Sequence, residues 1–336
     1  MIGWTLCLRK WGRKSIVDSG RRSARWSIET AKIKNRKSKI QRLKSNVRSP
    51  KFVNQKSKMH LRVVHTLQYT YSEPVALEPH SIYLAPKIYP YQRLIKYDLE
   101  INPKPSKMVK NMAIEENIQH IAYFTNKTET LTIKAEMVIE SNEFNIFDFV
   151  LFPFETQTLP FQYPETIKQL LQPYLVREGV TTYIEQFSRQ IAASVRWNTV
   201  DFLMALSRNI RSNFAYEKRE VGLPYPPEYT LTNRMGTCRD FAQLFIACCR
   251  SLGIAARFVS GYLYGSELQA HELHAWAEVY LPGAGWRGFD PTEGNAVINN
   301  HIYLATSAEP SVITPVSGTY RGKANSILMT DILIEQ

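Results

Sequence analysis

The stretch GTCRDFAQLFIACCRSLG, residues 236–253, decides how the rest of the chain is read. Phe241, Phe245, Cys248 and Leu252 recur at helical spacing and share one face of a helix. Gly253 follows them and supplies the left-handed stop that ends many helices. Cys238 stands three residues before Phe241, at the helix start and at the end of the apolar stripe. It is therefore expected to face the interior or a cleft. A thiolate there feels the positive end of the helix dipole, and unpaired backbone N–H groups point toward it. The same groups can stabilise an oxyanion on an attacked carbonyl. Unpaired cysteines are more often packing residues. That reading suits Cys248 on the core stripe and Cys249 beside Ala242 and Ile246. For Cys238 alone, position and the glycine neighbour favour chemistry.

Downstream lies HAWAEVYLPGAGWRGFDPTEG, residues 274–294. His274, Trp276, Glu278 and Tyr280 fall on one face of a strand, Ala275, Ala277, Val279 and Leu281 on the other. Pro282 to Gly285 makes a hairpin turn, and Trp286, Gly288 and Asp290 share one face of the return strand. With Tyr280 opposite Trp286, Asp290 faces Trp276 and lies one diagonal step from His274, about 7–8 Å at the backbone. Imidazole and carboxylate can bridge that gap; a one-residue slip would part them. Strand histidines are more often structural, and Asp-Pro often opens a turn. Together, however, Cys238, His274 and Asp290 form a nucleophile, a base and an orienting carboxylate. His271 and His274 point to opposite faces with no ligand cluster, and no calcium-loop pattern occurs, so neither metal nor cofactor is expected.

Upstream, helical periodicity covers the interval before Cys238. Thr182 with Glu185 reads as a capping box ahead of Ile184, Phe187, Ile191 and Val195. A second helix over about 199–213 presents Phe202, Leu203, Leu206 and Ile210. Strands are predicted at about 255–264, 273–281, 286–290 and 326–334. Helices first and strands afterwards predict an α+β core over 176–336. Residues 146–175 carry Phe147, Phe149, Phe152 and Phe154 among four prolines, and read as a connector packed across a boundary. Over 59–145 the pattern is period two. Leu61, Val63, His65, Leu67, Tyr69 and Tyr71 alternate with polar residues, Ser81–Ala85 is a shorter strand, and Arg93, Ile95, Tyr97, Leu99 and Ile101 share a face. Ile118–Phe124 and the odd positions Leu131 to Ile139 continue the theme. This predicts an antiparallel β-sandwich.

The chain has 336 residues and a formal charge of +12, very unevenly spread. Residues 1–58 hold 18 Lys/Arg against Asp18 and Glu29, leaving the remainder at −4. The basic segment reads as a disordered stretch: a nucleic-acid arm, a targeting peptide, or a misassigned start with Met59 as the true one. Met59 is favoured, because a patterned strand begins there. No apolar run is long enough to span a membrane, and the N-terminus lacks a secretory pattern. Four unpatterned cysteines suit a reducing compartment, so a cytoplasmic location is expected. Nothing in the sequence fixes an oligomeric state.

GTCRDFA (236–242), RSLGIAARFVSGYL (250–263) and HAWAEVYLPGAGWRGFDPTEG (274–294) resemble the core of the bacterial transglutaminase-like superfamily, related in fold to papain-type cysteine peptidases. Residues 59–86 resemble the N-terminal β domain that accompanies this core in one bacterial branch, and GTYRG (318–322) its C-terminal end. The resemblance implies that Cys238, His274 and Asp290 match the family's catalytic triad. It implies cysteine-dependent acyl transfer on peptide or protein carboxamides through a thioester, in a transglutaminase-like cysteine peptidase or acyltransferase. The reading leans to hydrolysis, since nothing marks a lysine tunnel. True glutamine-to-amine transfer and a catalytically silent scaffold are the alternatives. Cys238 N–H would be one oxyanion donor; Tyr216 and Trp276 are both open for the second, and Trp276 and Trp286 for a tunnel wall.

Overall fold

The structure, a computed structural model, describes residues 58–219, 222–266, 268 and 272–336. Residues 1–57 and His271 lie outside them, and with them the readings of the basic segment and of that histidine. The described chain opens with β1 (Lys58–Leu77), β2 (His80–Ile82), β3 (Gln92–Asn102), β4 (Lys107–Met112), β5 (Ile118–Tyr123) and β6 (Lys127–Asn142). It continues through α1 (Glu165–Leu170), α2 (Thr182–Ser194), α3 (Thr199–Asn213), β7 (Ala215–Tyr216), α4 (Pro227–Asn233), β8 (Met235–Gly236) and α5 (Cys238–Ser251). Then come β9 (Ala256–Leu263), β10 (Leu273–Leu281), β11 (Gly285–Asp290), β12 (Asn295–Ala296) and β13 (His301–Ser307). The end is β14 (Val316–Ser317), β15 (Tyr320–Arg321) and β16 (Ser326–Glu335). The architecture is α+β, antiparallel sheets followed by a helix-and-sheet core.

Period-two patterning does what it predicts in the first sheet, ordered β15-β1-β6-β3 with β16 also on β1. Leu61, Val63, His65, Leu67 and Tyr71 of β1 are buried, as are Leu131, Ile133, Ala135, Met137 and Ile139 of β6. The second sheet runs β14-β2-β5-β4, giving the expected sandwich. Three details differ. β3 bulges between Leu94 and Lys96, which throws Ile95 outward to 47% exposure instead of joining Tyr97, Leu99 and Ile101. β4 is exposed except at the half-buried Val109 and carries no alternation by which to read it. β14, β15 and β16, read from sequence as part of the core over 176–336, pair instead with β2 and β1.

In the connector, the buried apolar residues are Ile146, Leu151, Leu159, Phe161, Tyr163 and Leu171, whereas Phe147, Phe152 and Phe154 are exposed. The boundary is packed, but mainly by other side chains than the phenylalanine cluster. Helix α2 is capped by Thr181, whose hydroxyl accepts from Ile184 N, one residue before the predicted cap. Glu185 is drawn away by ion pairs to Arg177 and Arg189.

The core sheet has the order β12-β11-β10-β9-β13, with α5 against β9 and β10. Phe241, Phe245, Cys248 and Leu252 are all buried, each large apolar side chain contributing roughly 1.5–3 kcal/mol. Tyr262, Ile302 and Leu304 of this sheet belong to the same hydrophobic cluster as the sandwich interior. Polar groups reinforce the seam. Gln92 donates to Tyr303 O and accepts from Tyr303 N, and Asn117 does the same for Thr306. Two side-chain amides thus satisfy an edge of β13 as a neighbouring strand would. Glu278 of β10 is held by Arg257 and by Tyr89 Oη, which ties the connection after β2 to the core.

Candidate active site

Helix α5 begins where the sequence places it. Thr237 is its N-cap and Cys238 its first residue. Asp240, completely buried, accepts from Thr237 N (2.7 Å) and Thr237 Oγ1 (2.8 Å) through Oδ2. Its Oδ1 accepts from Tyr225 N (2.6 Å) and Arg219 Nη2 (2.7 Å). One carboxylate thereby fixes the cap and the approaching 219–225 segment, and Arg219 also lies over the Tyr225 ring. Gly236 is required beside it, since a Cβ there would come within 2.8 Å of Asp240 Cβ.

The hairpin has the register expected from its turn: Tyr280 is opposite Trp286 and Ala277 opposite Phe289. The next step of that ladder sets Asp290 against Trp276, diagonal to His274. The side chains close the remaining distance, with His274 Nε2 2.7 Å from Asp290 Oδ2. A carboxylate can only accept, so Nε2 carries the proton. The other ring nitrogen is left for Cys238, which is near enough to add to the upward shift of the ring. Asp290 is held in turn by Thr292 N (2.9 Å) and Glu293 N (3.2 Å) on Oδ1, the local hydrogen bonding that Asp offers at a turn. The structure therefore brings together all three residues singled out in the sequence, each less than a tenth exposed.

Burial opposes charge on the His274 ring, but the charge and hydrogen bond of Asp290, with Cys238 adding to them, raise it to about 10. Burial likewise works against the Asp290 carboxylate, yet His274 and then His301 hold it well below its usual value. The arrangement favours a charged imidazolium beside the Asp290 carboxylate. Cys248 behaves as the packing residue it was read to be, fully buried with its thiol pushed up to about 12 by desolvation.

His301 was not singled out in the sequence. It opens β13, and its Nε2 lies 3.0 Å from the same Asp290 Oδ2. His274, Asp290 and His301 could offer ligand atoms within 4.8 Å of one another. Tetrahedral zinc keeps donors about 3.3 Å apart, at bond lengths of about 2.0–2.1 Å. The 2.7 and 3.0 Å separations suit two N–H···O bonds better, in a place buried on all sides.

Cys238 and His274 line a cavity of about 570 Å³. The core contributes Tyr216, Phe258, Ser260 and Ile313, while Leu67 and Tyr69 of β1 and Leu328, Thr330 and Ile332 of β16 line it from the sandwich. His65, also in the lining, is fixed by Tyr262 Oη (2.9 Å) and Thr330 Oγ1 (3.1 Å), and burial lowers it to about 4. Lys218 and Glu272 pair among the same lining residues. Neither Trp276 nor Trp286 is part of the lining. Trp276 is fully buried over Gly261, where a Cβ would meet its ring at 2.5 Å and Ile302 O at 2.1 Å.

Comparison with known proteins agrees with this fold. Residues 185–291 match the transglutaminase-like superfamily core, and residues 61–140 match the bacterial transglutaminase-like N-terminal region. The chain thus carries a transglutaminase-like superfamily core behind a bacterial transglutaminase-like N-terminal region. An uncharacterized Mycobacterium tuberculosis protein is 26% identical over 283 residues, covering 80% of this chain and 90% of its own. A Cytophaga hutchinsonii structure, provisionally described as a cysteine protease, has the same fold. Its TM-score is 0.63 at 20% identity, over 83% of this chain and 92% of that one. A rat peptide-N(4)-(N-acetyl-beta-glucosaminyl)asparagine amidase is 41% identical over only 56 residues, 17% of this chain and 7% of that protein. Among the described residues, no helix is long and apolar enough to cross a membrane.

Proposed function

We propose that this transglutaminase-like chain is a cysteine-dependent acyl-transfer enzyme acting on peptide or protein carboxamides, with water as the usual acceptor. The observation that carries the reading is the position of His274, bonded to Asp290 at 2.7 Å and lining one cavity together with Cys238. The Cys238 thiolate attacks the carbonyl carbon, and the C=O electron pair moves onto oxygen. Collapse of that oxyanion expels the amine, which takes the proton from the His274 imidazolium and leaves a thioester. His274, now neutral, removes a proton from water as it attacks the thioester carbonyl. The acid departs and the thiolate–imidazolium pair is restored. Asp290 holds the Nε2–H tautomer and the charged ring throughout.

The N–H of Cys238 at the start of α5 is the first oxyanion donor. Tyr216, which lines the cavity where Trp276 does not, is the candidate for the second. The two-sided lining favours a polymeric substrate laid between sandwich and core. The amidase activity named for the rat relative is C–N hydrolysis of this same class, which supports water over an amine. The cysteine usage supports a cytoplasmic setting.

The test is a glutamine-containing protein incubated with a labelled amine, following peptide cleavage, ammonia release and amine incorporation. Cys238→Ala runs in parallel. Hydrolysis lost in the variant is the expected result. Incorporation lost in the variant would move the assignment to amine transfer, and no Cys238-dependent product would leave the silent scaffold.

A further inference from the structure

We propose that His301 is a positioning residue that shares Asp290 with His274 and so sets how firmly the carboxylate holds the imidazolium. The inference deepens the acyl-transfer reading and rests on the same cluster. Oδ1 of Asp290 is occupied by Thr292 N and Glu293 N, so the turn alone fixes the carboxylate on that side. Oδ2 receives two imidazoles, His274 at 2.7 Å and His301 at 3.0 Å. Since the turn already orients Asp290, a second donor on Oδ2 adds little positioning of the carboxylate itself. Its effect falls on the oxygen that His274 uses. Each donor draws on the same negative charge in a dry site, where hydrogen bonds to a charged group are strong.

His301 is itself fixed. Its Nδ1 lies 3.0 Å from Asn300 Oδ1 and 3.4 Å from Ile298 N, and the Trp276 ring stands 5.2 Å away, edge to face. The strand it opens is braced by Gln92 and Asn117 from the sandwich side. The titratable groups facing the cluster are Cys238 from α5, His274 from β10, Asp290 from β11 and His301 from β13. The Glu293 carboxylate is turned away to Ser266 Oγ at 2.6 Å. Removal of the second donor therefore returns charge density to the His274 contact. The imidazolium becomes more stable, and a ring that holds its proton too tightly is a poorer acid for the departing amine.

The experiment reads His274 directly and needs no turnover, so failure of the acyl-transfer reading would leave it intact. The full chain carries Cys238→Ala, which takes away the thiol's share of the upward shift on His274. Histidines are ¹³C-labelled at Cε1, and the His274 signal is assigned by its absence in His274→Asn. In that background His301→Leu, which excludes water and donates nothing, is expected to raise the His274 midpoint by roughly one pH unit. His301→Gln, which retains an N–H near the Nε2 position, is expected to restore the midpoint. Should Leu not be tolerated, His301→Met supplies an apolar side chain suited to irregular space. A His274 midpoint unmoved or lowered by the apolar variant, in a chain with native circular dichroism, would overturn the proposal. So would a Gln variant that behaves like the apolar one.

Discussion

Truncating Asp240 to alanine is expected to destabilise the chain by about 3–4 kcal/mol, although Asp240 takes no part in the proposed chemistry. The magnitude follows from what the carboxylate satisfies. Thr237 N, at 2.7 Å, loses its acceptor at a buried helix cap, which costs about 1–3 kcal/mol. The Thr237 hydroxyl can turn to another acceptor, and Tyr225 N sits in a partly exposed segment where water reaches it, so each adds less. Arg219 loses a close ion pair, but its side chain is 18% exposed and can recover some hydration. The sum lies within the roughly 3–5 kcal/mol typical of removing one partner from a buried pair. Asp240→Asn keeps one acceptor oxygen and is expected to cost about 2 kcal/mol. Urea unfolding followed by tryptophan fluorescence, with the slope checked for constancy, measures both. A loss under about 1 kcal/mol for Asp240→Ala would refute the reasoning, because the cap and the 219–225 segment would then hold without it.

The pH dependence follows from the signs of the shifts. His274 is raised from 6.5 to about 10, so its contribution to stability is complete below about pH 6.5 and lost as pH climbs through about 10. Asp290 is depressed from 3.8, so its share of the same interaction is present above that pH and fades only in stronger acid. Turnover is accordingly expected to persist past pH 9; in Asp290→Asn the alkaline limb should move down toward 6.5, with kcat lower by about 10²–10⁴-fold. A pH profile of kcat/KM for both proteins checks this. Tyr69→Ala and Leu328→Ala, on the sandwich wall of the cavity, should each raise KM about tenfold with kcat within about twofold; steady-state kinetics showing unchanged KM would deny the sandwich a role in substrate binding. Gly236→Ala, which presses a Cβ against Asp240, should cost about 1–3 kcal/mol in the same urea assay. Cys248 and Cys249 should resist a small thiol reagent in the native chain and react after denaturation, as peptide mapping would show.

Much of the site was legible because it is built from local rules. The apolar stripe from Phe241 to Leu252 and the Gly253 stop define α5, and with it the position of Cys238 at the helix start. The Pro282–Gly285 turn sets the register, and period two then makes Asp290 diagonal to His274. What escaped reading depends on distant pairing. HIYLATS (301–307) holds a run of only four apolar residues, which periodicity cannot tell from a buried loop or helix end. Only its pairing with β9 delivers His301 to Asp290. The cavity wall depends on β16 reaching back to β1, an association of residues more than 250 positions apart. Period two said which face of β1 is apolar, but not that Leu67 and Tyr69, with Leu328 of β16, line the cavity of Cys238. The predicted Thr182 cap missed by one residue because Thr181 and Thr182 are adjacent and equally able to cap.

The thioester itself offers the most direct test. The full chain would be mixed with a carboxamide peptide substrate, quenched in acid within the first turnovers, digested and examined by mass spectrometry. The expected result is an acyl adduct of the substrate's mass on the Cys238 peptide, absent from Cys248, Cys249 and Cys7 and from the Cys238→Ala chain. Substrate consumption at equal rates by the native and Cys238→Ala chains, with no adduct on Cys238, would contradict the assignment of Cys238 as nucleophile.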